Sequence, residues 1–214
     1  MIEAVVFDLD GVIVDSEQVW DDVRQVYTRE VGVAFPPEAT RAMMGMSSPE
    51  WSRYMAESVG VPGTPEQINA DIVERMLERY GAAPPLIPGA VDAVRGIAAR
   101  WPLAIASSSN AELIEVVLRA AGIDELFASA VSSEQVARGK PAPDVYLEAA
   151  RRLGVDPTRC GAVEDSHAGI RSAKAAGMRV VAVPNPHFPP DDDALAQADV
   201  VLGSIVELTA ETFL

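Results

Sequence analysis

Basic charge is scarce in this chain of 214 residues. Lysine and arginine number 17 against 32 acids, a formal net charge of −15 at pH 7. That excess argues against nucleic acid or an anionic membrane surface as partner. A small anionic substrate stays open to it, because a bound cation can invert the local sign. Cysteine is nearly absent: Cys160 stands alone, so no intrachain disulfide can form. It reads as a small core hydrophobe in a protein suited to a reducing cytoplasm. No apolar run approaches the ~20 residues of a membrane span. The opening MIEAVVFDLD carries no basic stretch and reads as a first strand, not a signal peptide. Internal repeats and low-complexity segments are also missing. Lysine is the rarest charge, with only Lys140 and Lys174. In a chain that defaults to arginine, a lysine in a loop asks for a reason.

What is present divides into two kinds of territory. Residues 1–14 and 86–214 alternate short apolar runs with helical ones. The runs Ala4–Asp8, Leu103–Ser107, Ala128–Ser132, Gly161–Glu164, Arg179–Val183 and Val200–Leu202 read as strands. Helices separate them, with Asn110 as a start signal and Gly122, Gly154 and Gly177 as stops. Strands without clean alternation, each followed by a helix, imply an α/β fold with a parallel sheet covered on both faces. Residues 15–83 show no convincing strand. Helical segments near 16–31, 37–44, 49–59 and 65–80 end at Gly32, Gly45, Gly60 and Gly81. Ser48-Pro49-Glu50 and Thr64-Pro65-Glu66 are helix starts. The spacing therefore predicts a four-helix insert after the first strand, with a proline-stiffened return through Pro84, Pro85 and Pro88.

Ligands of an open parallel sheet sit beyond the carboxyl ends of its strands. The first strand delivers Asp8 and Asp10 there, and the second Ser107, Ser108, Ser109 and Asn110. The loop after the third carries Arg138-Gly139-Lys140, and the fourth strand ends in Glu164-Asp165-Ser166. Four acids in one small volume repel each other unless a divalent cation intervenes, and an oxygen-only set with open water positions suits Mg²⁺. A carboxylate at a strand tip can act as a covalent nucleophile, and the acid two residues on as a proton donor. Lys140 can neutralise charge on the aspartate and on phosphoryl oxygens. Ser107 and the N–H groups after it can bind those oxygens. Ser108 and Ser109 serve equally well as helix caps.

These motifs resemble the haloacid-dehalogenase-like hydrolases, in the branch with a helical cap inserted after the first strand. They stand here as Asp8-Leu9-Asp10-Gly11-Val12, Ser107 in IASSSN, Lys140 in RGKPAPD, and Glu164-Asp165 in VEDSHAGI. The resemblance covers nearly the whole chain. It implies a Rossmann-like core over 1–14 and 86–214, a mobile cap over 15–85 and Mg²⁺-dependent phosphoryl transfer. By that match Asp8 is nucleophile and metal ligand, and Asp10 is acid/base and lends its carbonyl to the metal. Ser107 and Lys140 hold the phosphoryl group. Asp165 is a metal ligand, with Glu164 in the inner or outer sphere. The family's dehalogenases lack the second aspartate, so Asp10 favours phosphoryl transfer. Its β-phosphoglucomutases carry a histidine, a lysine and an arginine in the cap. The matching places here are Trp20, Met44 and Ser48, which favours a phosphatase over a mutase. DSEQVWDDV and VELTAETFL are similar to bacterial sugar- and sugar-alcohol-phosphate phosphatases.

The cap should close over the core during transfer. Met43-Met44-Gly45-Met46-Ser47 is the expected specificity loop, with Met44 and Gly45 at the substrate. Trp20 and Trp51 suit core packing better than the cleft, and neither His167 nor His187 is assigned a role. The expected partner is a small phosphorylated metabolite, met by a monomer or weak homodimer, since neither a heptad nor a long exposed apolar edge is evident.

Overall fold

The structure is a computed structural model that describes residues 1–185 and 189–214; His187 lies outside the described residues. Among these residues six strands form one parallel sheet in the order β3-β2-β1-β4-β5-β6. They are β1 (Ala4–Phe7), β2 (Leu103–Ser107), β3 (Phe127–Ser132), β4 (Cys160–Glu164), β5 (Arg179–Ala182) and β6 (Val200–Val201). Strand β1 is central, with Phe7 opposite Ile105 of β2 on one side and Val163 of β4 on the other. Its side chains alternate, as a strand's must. Val5 and Phe7 join one apolar cluster and Ala4 and Val6 the other, so both faces of the sheet are buried.

Helices α5 (Ala90–Ala98), α6 (Ala111–Ala120), α7 (Asp144–Leu153) and α8 (His167–Ala175) supply the covers, followed by the short α9 (Asp192–Leu195). Helices α5 and α6 pack into the cluster of Val5 and Phe7, and α7 and α8 into that of Ala4 and Val6. The chain runs outward from β1 through β2 to β3, then crosses back by α7 to β4. The strand order thus reverses between β1 and β4, the place where an open sheet leaves a crevice at its carboxyl ends.

The insert after β1 contains α1 (Glu17–Glu30), α2 (Ala39–Met43), α3 (Ser48–Tyr54) and α4 (Pro65–Ala82). The third expected helix is α-helical only to Tyr54 and continues as a π-helical turn over Met55–Val59. Thr64 caps α4 as its sequence predicts, accepting from the Gln67 N–H at 3.3 Å. Asn110 does not cap α6 with its side chain. The amide instead ties cap to core: its Oδ1 accepts from Ser48 Oγ at 3.0 Å, and its Nδ2 donates to Glu134 Oε1 at 2.8 Å and Asn69 Oδ1 at 3.3 Å. The two crossings between cap and core also hold each other, Asp15 N–H donating to Pro85 and Ile87 N–H to Ile13. No helix among the described residues is long and apolar enough to cross a membrane.

Removing the Asn110 side chain leaves buried polar partners unpaired. Asn110→Ala should cost about 1–3 kcal/mol of stability in urea unfolding and expose the cap to limited proteolysis. A change within error would show that this junction is not what holds the cap down.

Candidate active site

The crevice at the carboxyl ends of β1, β2 and β4 is roofed by the cap. Its walls include Asp8, Asp10, Ser108, Lys140 and Asp165 from the core and Trp20, Arg24, Met44 and Gly45 from the cap. Lys140, on the loop before α7, is buried and lies between two carboxylates. Its ammonium is 2.9 Å from Asp8 Oδ1 and 2.6 Å from Glu164 Oε1. Burial by itself would pull the lysine's pKa down. The Asp8 and Glu164 charges outweigh it and hold the ammonium well above the ordinary lysine value.

Glu164 is fully buried and its oxygens are filled. Oε1 also accepts from Tyr146 Oη at 2.7 Å. Oε2 accepts from the N–H of Asp165 at 3.0 Å and from Ser166 N and Oγ at 3.2 and 3.1 Å. Five donors exhaust a carboxylate. Of the two spheres expected for Glu164, this geometry fits the outer one, where it steers Lys140. Gly169 is part of that fit, because a Cβ there would stand 1.8 Å from Glu164 Oε1.

Asp10 is held by hydroxyls. Its Oδ2 accepts from Ser109 Oγ at 2.7 Å and Ser107 Oγ at 3.2 Å, while Oδ1 is buried without a hydrogen-bond partner. Ser107 is fully buried and faces Asp10, not the crevice; its Oγ also accepts from Ser109 N–H. Ser109, for which a capping role stood open, is the closer hydroxyl partner of Asp10. Ser108 lines the crevice and meets the cap at the Gly45 carbonyl, 3.5 Å away. Met44 and Gly45 line the crevice as expected, but Asn110, expected at the substrate, is a junction residue off its wall. Trp20 and Trp51, read as core, line it too, and His167 borders it.

Asp8, Glu164 and Asp165 bring carboxylate oxygens within 4.8 Å of one another. Burial, then the Glu164 charge, pushes the Asp8 carboxyl up to about 8, and the same two causes raise Asp165 well above the carboxylate range. Asp165 accepts no hydrogen bond among the described residues. Gly11 makes room for it: φ there is +77°, and a Cβ would stand 1.9 Å from Asp165 Oδ2. The unfilled oxygens of Asp8, Asp10 and Asp165 are hard donors in a crowded anionic pocket, and they fit a divalent cation.

A family model described as haloacid dehalogenase-like hydrolase matches residues 2–177. The chain belongs to the haloacid dehalogenase-like hydrolases. Hexitol phosphatase B of Escherichia coli K12 is 33% identical over 219 residues, covering 100% of this chain and 97% of that protein. A probable pseudouridine-5'-phosphatase of Drosophila melanogaster is 32% identical, covering 97% and 92%. Among solved structures, CbbY from Rhodobacter sphaeroides, in complex with phosphate, superposes with a TM-score of 0.87 at 30% identity. That match covers 97% of this chain and 96% of the other.

The raised Asp8 and Asp165 set a pH dependence. An acid whose folded pKa is raised stabilises the fold below its unfolded value, and that contribution is lost as pH rises through the folded value. For Asp8 the window is about pH 4 to 8. The metal-free protein should melt at lower temperature at pH 8.5 than at pH 6, and added Mg²⁺ should raise the melting temperature more at pH 8.5. Equal shifts at both pH values in scanning calorimetry would contradict a carboxylate cation site. Gly11→Ala forces a methyl into Asp165 and should abolish the Mg²⁺-induced shift.

Proposed function

We propose that the protein is a Mg²⁺-dependent phosphomonoester hydrolase acting on a small phosphorylated metabolite, of the sugar or sugar-alcohol phosphate class, in the cytoplasm. The observation that carries this reading is Lys140 set between Asp8 and Glu164, with Asp10 beside them held by two serines. In this reading Asp8 attacks phosphorus through one carboxylate oxygen. The ester P–O bond breaks, and the leaving oxygen takes the proton carried by Asp10. Water then attacks the phospho-aspartate, giving its proton to Asp10; the acyl phosphate P–O bond breaks, and Asp8 and inorganic phosphate are restored. Lys140 offsets charge on Asp8 and on the phosphoryl oxygens throughout, held in place by Glu164. Asp8, Asp10 and Asp165 would hold Mg²⁺, which supplies further charge neutralisation at the phosphoryl oxygens. The cap excludes water from the first step.

Trp20 and Met44 bring no cation to the cap places where the family's mutases carry charged side chains, and Ser48 is turned to Asn110. Hydrolysis is therefore favoured over intramolecular transfer.

A phosphate-release screen over sugar, polyol, nucleotide and glycolate phosphates, with and without Mg²⁺, tests this reading. Release should require Mg²⁺ and fall more than about a thousandfold in Asp8→Asn with the fold intact by circular dichroism. Release that survives in Asp8→Asn would remove the nucleophile assignment. A hexose 1-phosphate given with a bisphosphate should yield free phosphate; conversion to the 6-phosphate would overturn the hydrolase.

A further inference from the structure

Arg24 lies on α1, one turn beyond Trp20, and lines the crevice on the cap side. It is only 6% exposed. Its guanidinium carbon stands 4.8 Å from the Trp20 ring centroid and 5.1 Å from that of Trp51. The two indoles are themselves 5.7 Å apart. Among the described residues Arg24 donates no side-chain hydrogen bond, no carboxylate comes within ion-pair distance, and Nε is buried without a partner. The other buried cation in this crevice, Lys140, has carboxylates within ion-pair distance. Burial lowers the Arg24 pKa only to about 10, so the group is a cation at neutral pH. A buried cation with unused donors carries a desolvation cost that something must offset.

The guanidinium offers five N–H donors and no acceptor, in a planar fork that fits carboxylate or phosphoryl oxygens two at a time. Indole contacts position it without satisfying any donor. The charges of Glu17, Asp21 and Asp10 act on the guanidinium, but none reaches its donors at ion-pair distance; a neutral hydroxyl would occupy one donor, and an anion can take two. With Lys140 at the core end and Arg24 at the cap end, the crevice presents a cation to each end of a short molecule.

We propose that Arg24, flanked by Trp20 and Trp51, is a specificity-determining subsite for a second anionic group, carboxylate or phosphoryl, on the leaving part of the substrate. This rests on the phosphatase reading, with the scissile phosphoryl group at Asp8. The substrate is then a sugar or sugar-alcohol phosphate that carries a second anion, such as a sugar-acid phosphate or a bisphosphate.

Calorimetric binding to the Asp8→Asn protein with Mg²⁺ tests this without turnover. Two matched pairs serve as probes: 3-phosphoglycerate against glycerol 3-phosphate, and fructose 1,6-bisphosphate against fructose 6-phosphate. The more anionic member should bind about tenfold tighter or more in at least one pair, and which pair it is tells carboxylate from phosphoryl. Arg24→Gln should remove that preference, and Arg24→Lys, which keeps the charge, should restore part of it. Equal affinity within both pairs, or a preference that survives Arg24→Gln in a protein that melts normally, overturns the proposal. A wild-type enzyme that releases no phosphate from any of the four, while the Asp8→Asn preference persists, counts against the phosphatase reading and for the subsite.

Discussion

One ammonium group organises the centre of this protein. Lys140 bridges Asp8 at the end of β1 and Glu164 at the end of β4, across the reversal in strand order. Without it, three buried carboxylates would face one another in a chain already carrying 15 negative charges net. The rest of the neighbourhood serves this arrangement. Tyr146 and the N–H groups of Asp165 and Ser166 fill Glu164. Gly169 and Gly11 omit side chains where carboxylates need the space. The single lysine can hold two acids but not cancel three, and this deficit is what a divalent cation makes good.

The cap answers a different constraint. A reaction through an acyl phosphate needs water kept out of one step and admitted to the next. The cap's two connections hold each other through Asp15 and Pro85, and its lower face meets the core at Asn110 and at Gly45. Helix α4 of the cap also packs on α6 of the core, within one continuous apolar cluster.

Much of the core was legible in the sequence, because strand-end chemistry depends on local order. Asp8 and Asp10 sit on one strand, Glu164 and Asp165 on another, and Lys140 stood out by rarity and by its rigid loop. What escaped depends on where side chains go once helices pack. Asn110 has the sequence of a cap residue, but its partners Ser48, Asn69 and Glu134 are brought in from other elements. Ser109 looks like a cap until the turn after β2 aims it at Asp10. Glu164 cannot be assigned a sphere before its five donors are known. Arg24 follows Trp20 by four residues, so one helical turn brings it to the same face, but that no carboxylate reaches ion-pair distance shows only in three dimensions.

Transfer of the phosphoryl group to Asp8 is tested by acid-quenching the enzyme during turnover, reducing with borohydride and mapping peptides by mass spectrometry. Reduction of Asp8 to homoserine is expected only when substrate and Mg²⁺ are present. Phosphate release with Asp8 unmodified at every quench time would contradict it.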